Sequence, residues 1–291
     1  MKKAKCLLFA VVLGGGFPGF SQTQVNLQEG SFHWTTQDVF RFGRKTTLQL
    51  ERNYSSRSDF RGLLGRGWCS ELEWTLVAQG KFALLMKCDQ PEMLTADRFV
   101  VLPGTVRVKN GTQALFFHPN GKLESIEENG KRWFIQRDLK GRPLLAQSGS
   151  SILQMIFSAR DELTKIQTAS ETLGFEYADR LLRSATGAKA QTYAYDEFEN
   201  LTTLVVAGEK IEVRYDGLRD LALSIRAGGC EEAFEYGTTV QKNKVLDEVV
   251  HRFQCDKRAA RVTRHRYEYQ KTDDHQVRLE RVSSIEEGGR P

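Results

Sequence analysis

Tyr193-Ala194-Tyr195-Asp196-Glu197-Phe198-Glu199-Asn200-Leu201 and Val213-Arg214-Tyr215-Asp216-Gly217-Leu218-Arg219-Asp220-Leu221 share one order: an alternating strand end closing on Tyr-Asp, a turn, then Leu. Outward from this pair the order recurs in looser form. Leu115-Phe116-Phe117, Ile135-Gln136-Arg137, Met155-Ile156-Phe157, Phe175-Glu176-Tyr177 and Phe234-Glu235-Tyr236 read as further strand ends. The last residues, Phe117, Arg137, Phe157, Tyr177, Tyr195, Tyr215 and Tyr236, lie 20, 20, 20, 18, 20 and 21 apart, and Leu123, Leu163, Leu201 and Leu221 follow the turns. A beat of about twenty residues holds two strands and two turns, so each unit reads as one hairpin. A lone hairpin is marginal in water, whereas stacked hairpins bury a shared apolar face. Strand spacing alone would also suit a sandwich. Aromatic, turn and Leu positions that keep phase together favour a repeat.

Upstream, Leu48 and Leu50 alternate with Thr47, Gln49 and Glu51, and Trp68, Leu72, Trp74 and Leu76 alternate with Glu71, Glu73 and Thr75, the period of half-buried strands. Asn120-Gly121, Asn129-Gly130 and Lys140-Gly141 are turn dipeptides, and no run of ten or more residues carries helical spacing outside the N-terminus. The expected fold is all-β: an N-terminal β-domain over 22–105, then a curved sheet of hairpins over 106–291 that forms a partial β-shell.

Lys2, Lys3 and Lys5, the apolar run Cys6 to Leu13 and the small-residue stretch ending Gly19-Phe20-Ser21 have the order of a secretory signal peptide over 1–21. The run is too short to cross a bilayer as a helix, and no later stretch is long and apolar enough, so no membrane span is expected and the mature chain reads as periplasmic, cell-surface or extracellular. Removing three lysines leaves 42 − 3 = 39 basic against 37 acidic residues, a net +2 that carries no global nucleic-acid footprint.

Four cysteines then remain for an oxidising compartment to pair. A two-residue turn at Lys242-Asn243 matches Val240 with Val245, Tyr236 with Val249 and Glu232 with Phe253, which sets Cys230 opposite Cys255 within bridging distance. Cys69 and Cys88 are harder to join. Ala78-Gln79-Gly80, read as a three-residue loop, matches Leu76 with Phe82, Trp74 with Leu84 and Leu72 with Met86, placing Cys88 opposite Ser70 and Cys69 on the other face. A bulge would be required to bridge them.

Tyr195-Asp196 and Tyr215-Asp216, each with its turn and Leu, resemble the YD repeats of Rhs proteins. Val25-Asn26-Leu27, the stretch Leu48 to Tyr54, Ser55-Ser56-Arg57-Ser58 and above all Gly62-Leu63-Leu64-Gly65-Arg66-Gly67-Trp68 resemble the domain that opens many of them. Arg57, Gly62, Gly65, Gly67 and Trp68 carry this opening motif. Leu63 stands where the family usually has Pro, and Arg137-Asp138, Phe157-Ser158 and Tyr177-Ala178 are degenerate repeats. The resemblance implies a β-strip coiling into a hollow shell, often around a toxin cargo. Full shells use many more repeats, and neither an Asp-Pro pair nor room for a toxin domain follows. The expectation is an opening segment or a stand-alone short member.

Chemistry is sparse. Cys230, His251, Cys255 and His265 suggest zinc at one hairpin, but a disulfide with solvated histidines suits an exported chain better, and no cofactor is expected. Glu197 with Glu199, Glu231 with Glu232 and Asp273 with Asp274 sit on strands and turns, where neighbouring acids diverge. No Gly-x-Ser-x-Gly elbow and no phosphate loop occurs, so no catalytic residue is assigned. Trp34, Trp68, Trp74 and Trp133 fit core packing better than a sugar platform. Arg261, Arg264 and Arg266 head a basic stretch, either a contact patch or an edge kept from self-pairing by charge. The leading function is a non-enzymatic scaffold that meets a protein partner or a second copy through an exposed β-edge. Binding of an envelope glycan is the alternative, and hydrolysis a distant third.

Overall fold

A computed structural model describes residues 23–43, 46–79, 81–187, 189–241, 244–255, 259–271 and 277–287. The expected signal segment 1–21 and the Lys242-Asn243 turn lie outside these. The chain opens with β1 (Thr23–Asn26), β2 (Ser31–Phe42), β3 (Thr46–Ser55), β4 (Arg61–Gly62), β5 (Gly65–Arg66) and β6 (Trp68–Ser70). Of these, β1, β2, β3 and β6 form an antiparallel sheet in that order. A 3-10 turn over Glu71–Glu73 leads to a second, three-stranded sheet of β7 (Thr75–Gln79), β8 (Phe82–Lys87) and β9 (Gln90–Leu94).

A long strip follows. It begins with β10 (Phe99–Leu102), β11 (Thr105–Asn110), β12 (Gln113–Phe117), β13 (Leu123–Glu128), β14 (Lys131–Arg137) and β15 (Pro143–Ser148). It continues with β16 (Ser151–Phe157), β17 (Leu163–Gln167), β18 (Thr172–Ala178), β19 (Leu181–Thr186), β20 (Gln191–Tyr195) and β21 (Leu201–Val206). It closes with β22 (Glu209–Asp216), β23 (Leu221–Ala227), β24 (Cys230–Gln241), β25 (Lys244–Cys255), β26 (Arg261–Lys271) and β27 (Val277–Glu287). Each strand is antiparallel to the next, and the small β4–β5 hairpin joins where Gly65 pairs with Leu181. The fold is all-β, and among the described residues no sheet closes into a barrel.

The repeat has a structural signature. Register shifts fall between Phe116 and Phe117, Gln136 and Arg137, Ile156 and Phe157, Glu176 and Tyr177, Ala194 and Tyr195, and Arg214 and Tyr215. A bulge sharpens the local twist, so one per hairpin bends the strip regularly. Tyr236 departs from the series. It sits inside β24, because Thr238, Thr239 and Val240 extend the strand where the other units turn.

The turns explain the Tyr-Asp pair. At 118–122, 138–142, 158–162 and 196–200 the first N–H donates to the fifth carbonyl at 2.9 to 3.0 Å, and the fourth N–H returns to the first carbonyl at 2.8 to 3.1 Å. Asp196 Oδ1 accepts from the N–H groups of Phe198 and Asn200 at 3.0 and 2.8 Å, and Asp138 Oδ1 from Arg142 at 2.9 Å. Ser158 Oγ fills the same place, accepting from Arg160 and Glu162 at 3.1 and 3.3 Å. At 118–122 the His118 ring takes the place, Nδ1 accepting from Asn120 N at 3.2 Å, so a side chain with an acceptor atom is what this turn selects. Ala178 has none. There the turn shrinks to Asp179 and Arg180, both at positive φ (54° and 64°), which helps shorten that unit.

The opening strands lie along the inner face of the strip in reversed chain order. Gly30 O accepts from Ala222 N (2.7 Å), Tyr54 OH from Leu201 N (2.9 Å) and Leu63 O from Leu163 N (3.0 Å), and Leu76 N donates to Gly121 O (2.8 Å). One continuous core results, from Phe32, Leu48, Leu50 and Trp68 through Trp133, Leu153, Leu182 and Leu204 to Phe234.

Two expectations fail over residues 68–88. The alternation from Trp68 to Leu76 is broken by the Glu71–Glu73 turn, capped by Ser70, so β6 pairs with β3 and not with β8. The hairpin register is Leu76 with Leu85, Val77 with Leu84 and Gln79 with Phe82, not the three-residue-loop register. The shorter connection between Gln79 and Phe82 moves every pair.

Candidate functional site

The opening motif is the seam between the N-terminal sheet and the strip. A Cβ on Gly62 would lie 2.1 Å from Glu73 Oε1 and 2.3 Å from the Phe60 ring, so only glycine fits. Gly65 has φ +92°, and its Cβ would lie 2.7 Å from the Arg180 carbonyl oxygen, at the point where β5 pairs with β19. Gly67 N donates to Phe60 O at 2.9 Å. Trp68 is fully buried, donates from Nε1 to Tyr195 OH at 2.9 Å, and meets the Tyr193 ring edge-on at 4.9 Å. Arg57 stays exposed and donates to Glu29 O at 2.5 Å.

Beneath Trp68 lies a polar knot that sequence reasoning missed. Arg52 is 2% exposed; Nε and Nη2 donate to Asp38 at 2.5 and 2.9 Å, and Nη1 to Tyr193 OH at 3.3 Å. Tyr193 OH passes the chain on to Gln191 Oε1 (2.5 Å), whose Nε2 donates to Thr36 Oγ1 (3.2 Å). The guanidinium also stacks over Trp68 and Phe175, at 5.9 and 5.3 Å to the ring centroids. Burial opposes its charge, and Asp38 and Tyr193 more than offset that, holding its pKa above the usual range. The signal was present: Arg52 continues the inward phase of Leu48 and Leu50.

Two acids of the 3-10 turn are drawn in from solvent, Glu71 buried and Glu73 half-buried. Glu73 accepts from Leu63 N at 2.8 Å and Ser70 N at 3.0 Å, and burial pushes its pKa up to about 7 against those bonds and nearby Arg137. Glu71 is 1% exposed; burial, with Glu51 and Glu128 adding repulsion, raises its pKa well above the ordinary value. The 3-10 turn puts Glu71 inside and Glu73 half inside, where strand alternation would have put both in water.

The repeat positions serve as ties between neighbouring hairpins. Tyr177 OH donates to Leu163 O (2.7 Å), Tyr215 OH to Leu201 O (2.9 Å) and Tyr236 OH to Ala222 O (2.8 Å), each fourteen residues back. Arg137 Nη2 makes the same reach to Leu123 O at 3.2 Å and adds Leu72 O at 2.8 Å. Tyr195 spends its hydroxyl on Trp68 instead. Phe117 is fully buried, and Phe157 carries Arg142 over its ring at 4.8 Å.

In the C-terminal strands Cys230 lies opposite Cys255 and is bonded to it, with Cα atoms 4.0 Å apart. Cys69 and Cys88 are also bonded, with Cα atoms 6.0 Å apart; Cys88 reaches β6 from a turn at φ 61°, and no bulge is involved. Arg261 pairs with Glu286 (2.6 Å), and Arg264 and Arg266 both pair with Glu248 (3.2 and 2.8 Å), so the basic stretch is met by acids of its own sheet. His251 bonds Glu232 at 3.0 Å and stacks on Phe234. Among the described residues no group of three or more His, Cys, Asp or Glu is placed to hold a metal. Two clefts, of about 380 Å³ beside Arg98 and Arg107 and about 530 Å³ between Arg57 and Arg219, contain neither histidine nor cysteine. All four tryptophans are buried. No described helix is long and apolar enough to cross a membrane, and the two disulfides fit an oxidising location.

Fold and seam together define an all-β protein in which a small sheet is docked on a strip of repeated hairpins. Residues 22–93, the segment that forms the docked part, match the model of a domain of unknown function, DUF6531. No curated protein matches the chain.

Proposed function

We propose that the chain is an exported, non-enzymatic scaffold of the Rhs/YD-repeat type, a shell segment that meets another protein through an exposed β-edge. The observation that carries this reading is how the repeat residues spend their polar atoms. The Tyr hydroxyls tie one hairpin to the next, and Asp196 and Asp138 hold their own turns. The opening motif spends its glycines and Trp68 on the seam. Such a residue set builds an extended surface and leaves the ends of the strip for association.

The test is affinity capture from envelope fractions with the mature chain as bait, beside a glycan array and a panel of hydrolase substrates. Recovery of a β-rich protein partner or of the chain itself is expected. Saturable glycan retention with no protein recovered would transfer the function to envelope-polymer binding, and turnover abolished by one substitution would make the chain a hydrolase.

A further inference from the structure

The strand β10, with the sequence Phe99-Val100-Val101-Leu102, begins the strip and is paired on one side, to β11. It is an internal piece of the chain, so its position as first strand does not depend on where the sequence stops. Val100 is 53% exposed, Val101 60% and Leu102 39%, although Val100 and Val101 point to opposite faces. The one-sided pairing marks an open edge, and the exposed Val100 and Val101 leave room on both faces for the side chains of an added strand. The strand is short, four residues, but carries no Lys, no Pro and no bulge to block pairing along its edge.

The hydrogen-bond phase fixes which groups look outward. Lys109 N donates to Arg98 O at 2.8 Å, and Arg98 stands two residues before Val100 in a ladder that sets Val100 opposite Arg107 and Leu102 opposite Thr105. In an antiparallel pair bonded and non-bonded residues alternate, so Arg98, Val100 and Leu102 turn their backbone groups to β11, and Phe99 and Val101 turn theirs to the free edge. Two outward residues two apart are self-complementary. A second β10, antiparallel and related by a two-fold axis through Val100, exchanges both backbone bonds between Phe99 and Val101 of each copy. That register sets Val100 against Val100 on one face, Phe99 beside Val101 on the other, and Leu102 beside Arg98, with no like charges opposed. Of the two neighbouring in-phase registers, the one with Val101 on the axis would bring Pro103 opposite Phe99 and lose a donor, and the one with Phe99 on the axis would oppose the two buried Phe99 side chains and set Asp97 opposite Val101.

From this phase and self-complementarity we infer that two copies of this chain associate isologously, β10 to β10, into one sheet continuous across both. The inference deepens the scaffold reading and rests on it only for the purpose of the assembly; the contact itself is a property of the purified chain.

Sedimentation velocity of the mature chain should give a species of twice the monomer mass. Val101→Pro removes an outward N–H without touching the ladder to β11, and Val101→Lys adds a charge to the edge; both should return the mass to that of a monomer with unchanged circular dichroism. Val100→Cys should form a covalent dimer on mild oxidation, because the axial pair is a non-bonded pair with Cα atoms about 4.5 Å apart, whereas Val240→Cys, at an exposed site on β24, far along the strip from β10, should not. A monomeric wild type, a dimer that survives Val101→Pro, or no axial cross-link would overturn the inference. So would recovery of a foreign strand at this edge in place of a second copy. Failure here with a protein partner still captured from the envelope would leave the scaffold reading standing.

Discussion

The hydroxyl of Tyr215 donates to the carbonyl oxygen of Leu201 at 2.9 Å, across the boundary between two hairpins. Leu201 is the residue that follows the preceding Tyr-Asp turn and pairs with Tyr195. Each such bond therefore locks the start of one unit to the end of the next. Removing the hydroxyl strands a carbonyl in a partly buried place, which costs about 1 to 2 kcal/mol. Tyr215→Phe and Tyr177→Phe should each lower the unfolding free energy by that amount, read as a lower urea midpoint with an unchanged slope. Asp196→Ala should act separately, through the turn, and the effects of Asp196→Ala and Tyr177→Phe should add.

Arg52 and Asp38 form a buried ion pair. Arg52→Met leaves Asp38 without its partner and should cost about 3 to 5 kcal/mol, whereas the double variant Arg52→Met, Asp38→Asn should recover a large part of that loss. Arg52→Lys should fall between them, because an ammonium cannot keep the two-pronged bond and the stacking on Trp68 together. Chemical denaturation of wild type, Arg52→Met, Asp38→Asn and the double variant closes the double-mutant cycle, with Arg52→Lys measured beside it. Equal losses in the single and double variants would sink the pairing argument.

Glu73 makes stability depend on pH. Its folded pKa is raised to about 7 from an unfolded value near 4.5, so the folded state binds more protons between these values. Its contribution is fully present below about pH 4.5 and is lost as pH rises through 7, by about 3 kcal/mol in total. Denaturation of wild type and Glu73→Gln at intervals from pH 4.5 to 8 should show the stability difference shifting in favour of the variant as pH rises. A constant difference across that window would refute the linkage.

The two disulfides close loops of 19 and 25 residues. Loop entropy gives each about 3 to 4 kcal/mol. Non-reducing peptide mapping of secreted protein should recover Cys69 with Cys88 and Cys230 with Cys255, and Cys230→Ser with Cys255→Ser should lower the unfolding midpoint. Free thiols at either pair in native material would count against that pair.

What the sequence determined by itself is local. Period-two alternation, turn chemistry and a fixed beat require contacts only between neighbours, so the all-β class and the hairpin repeat were readable without a structure. The pairing of Cys230 opposite Cys255 was readable for the same reason, since a two-residue turn sets every later pair in the ladder. The Cys69 to Cys88 geometry was not, because a 3-10 turn interrupts the alternation and a connection one residue shorter re-registers β7 on β8. Tertiary structure alone decided the seam: Arg52 meets Tyr193, Trp68 meets Tyr195 and Leu63 meets Leu163, partners separated by 100 residues or more. The inward phase of Arg52 marks it as buried, but which charge and which rings receive it depends on how two sheets pack. That is set by the fit of whole faces and by the cost of leaving a buried charge unpaired, quantities that no local window of sequence contains.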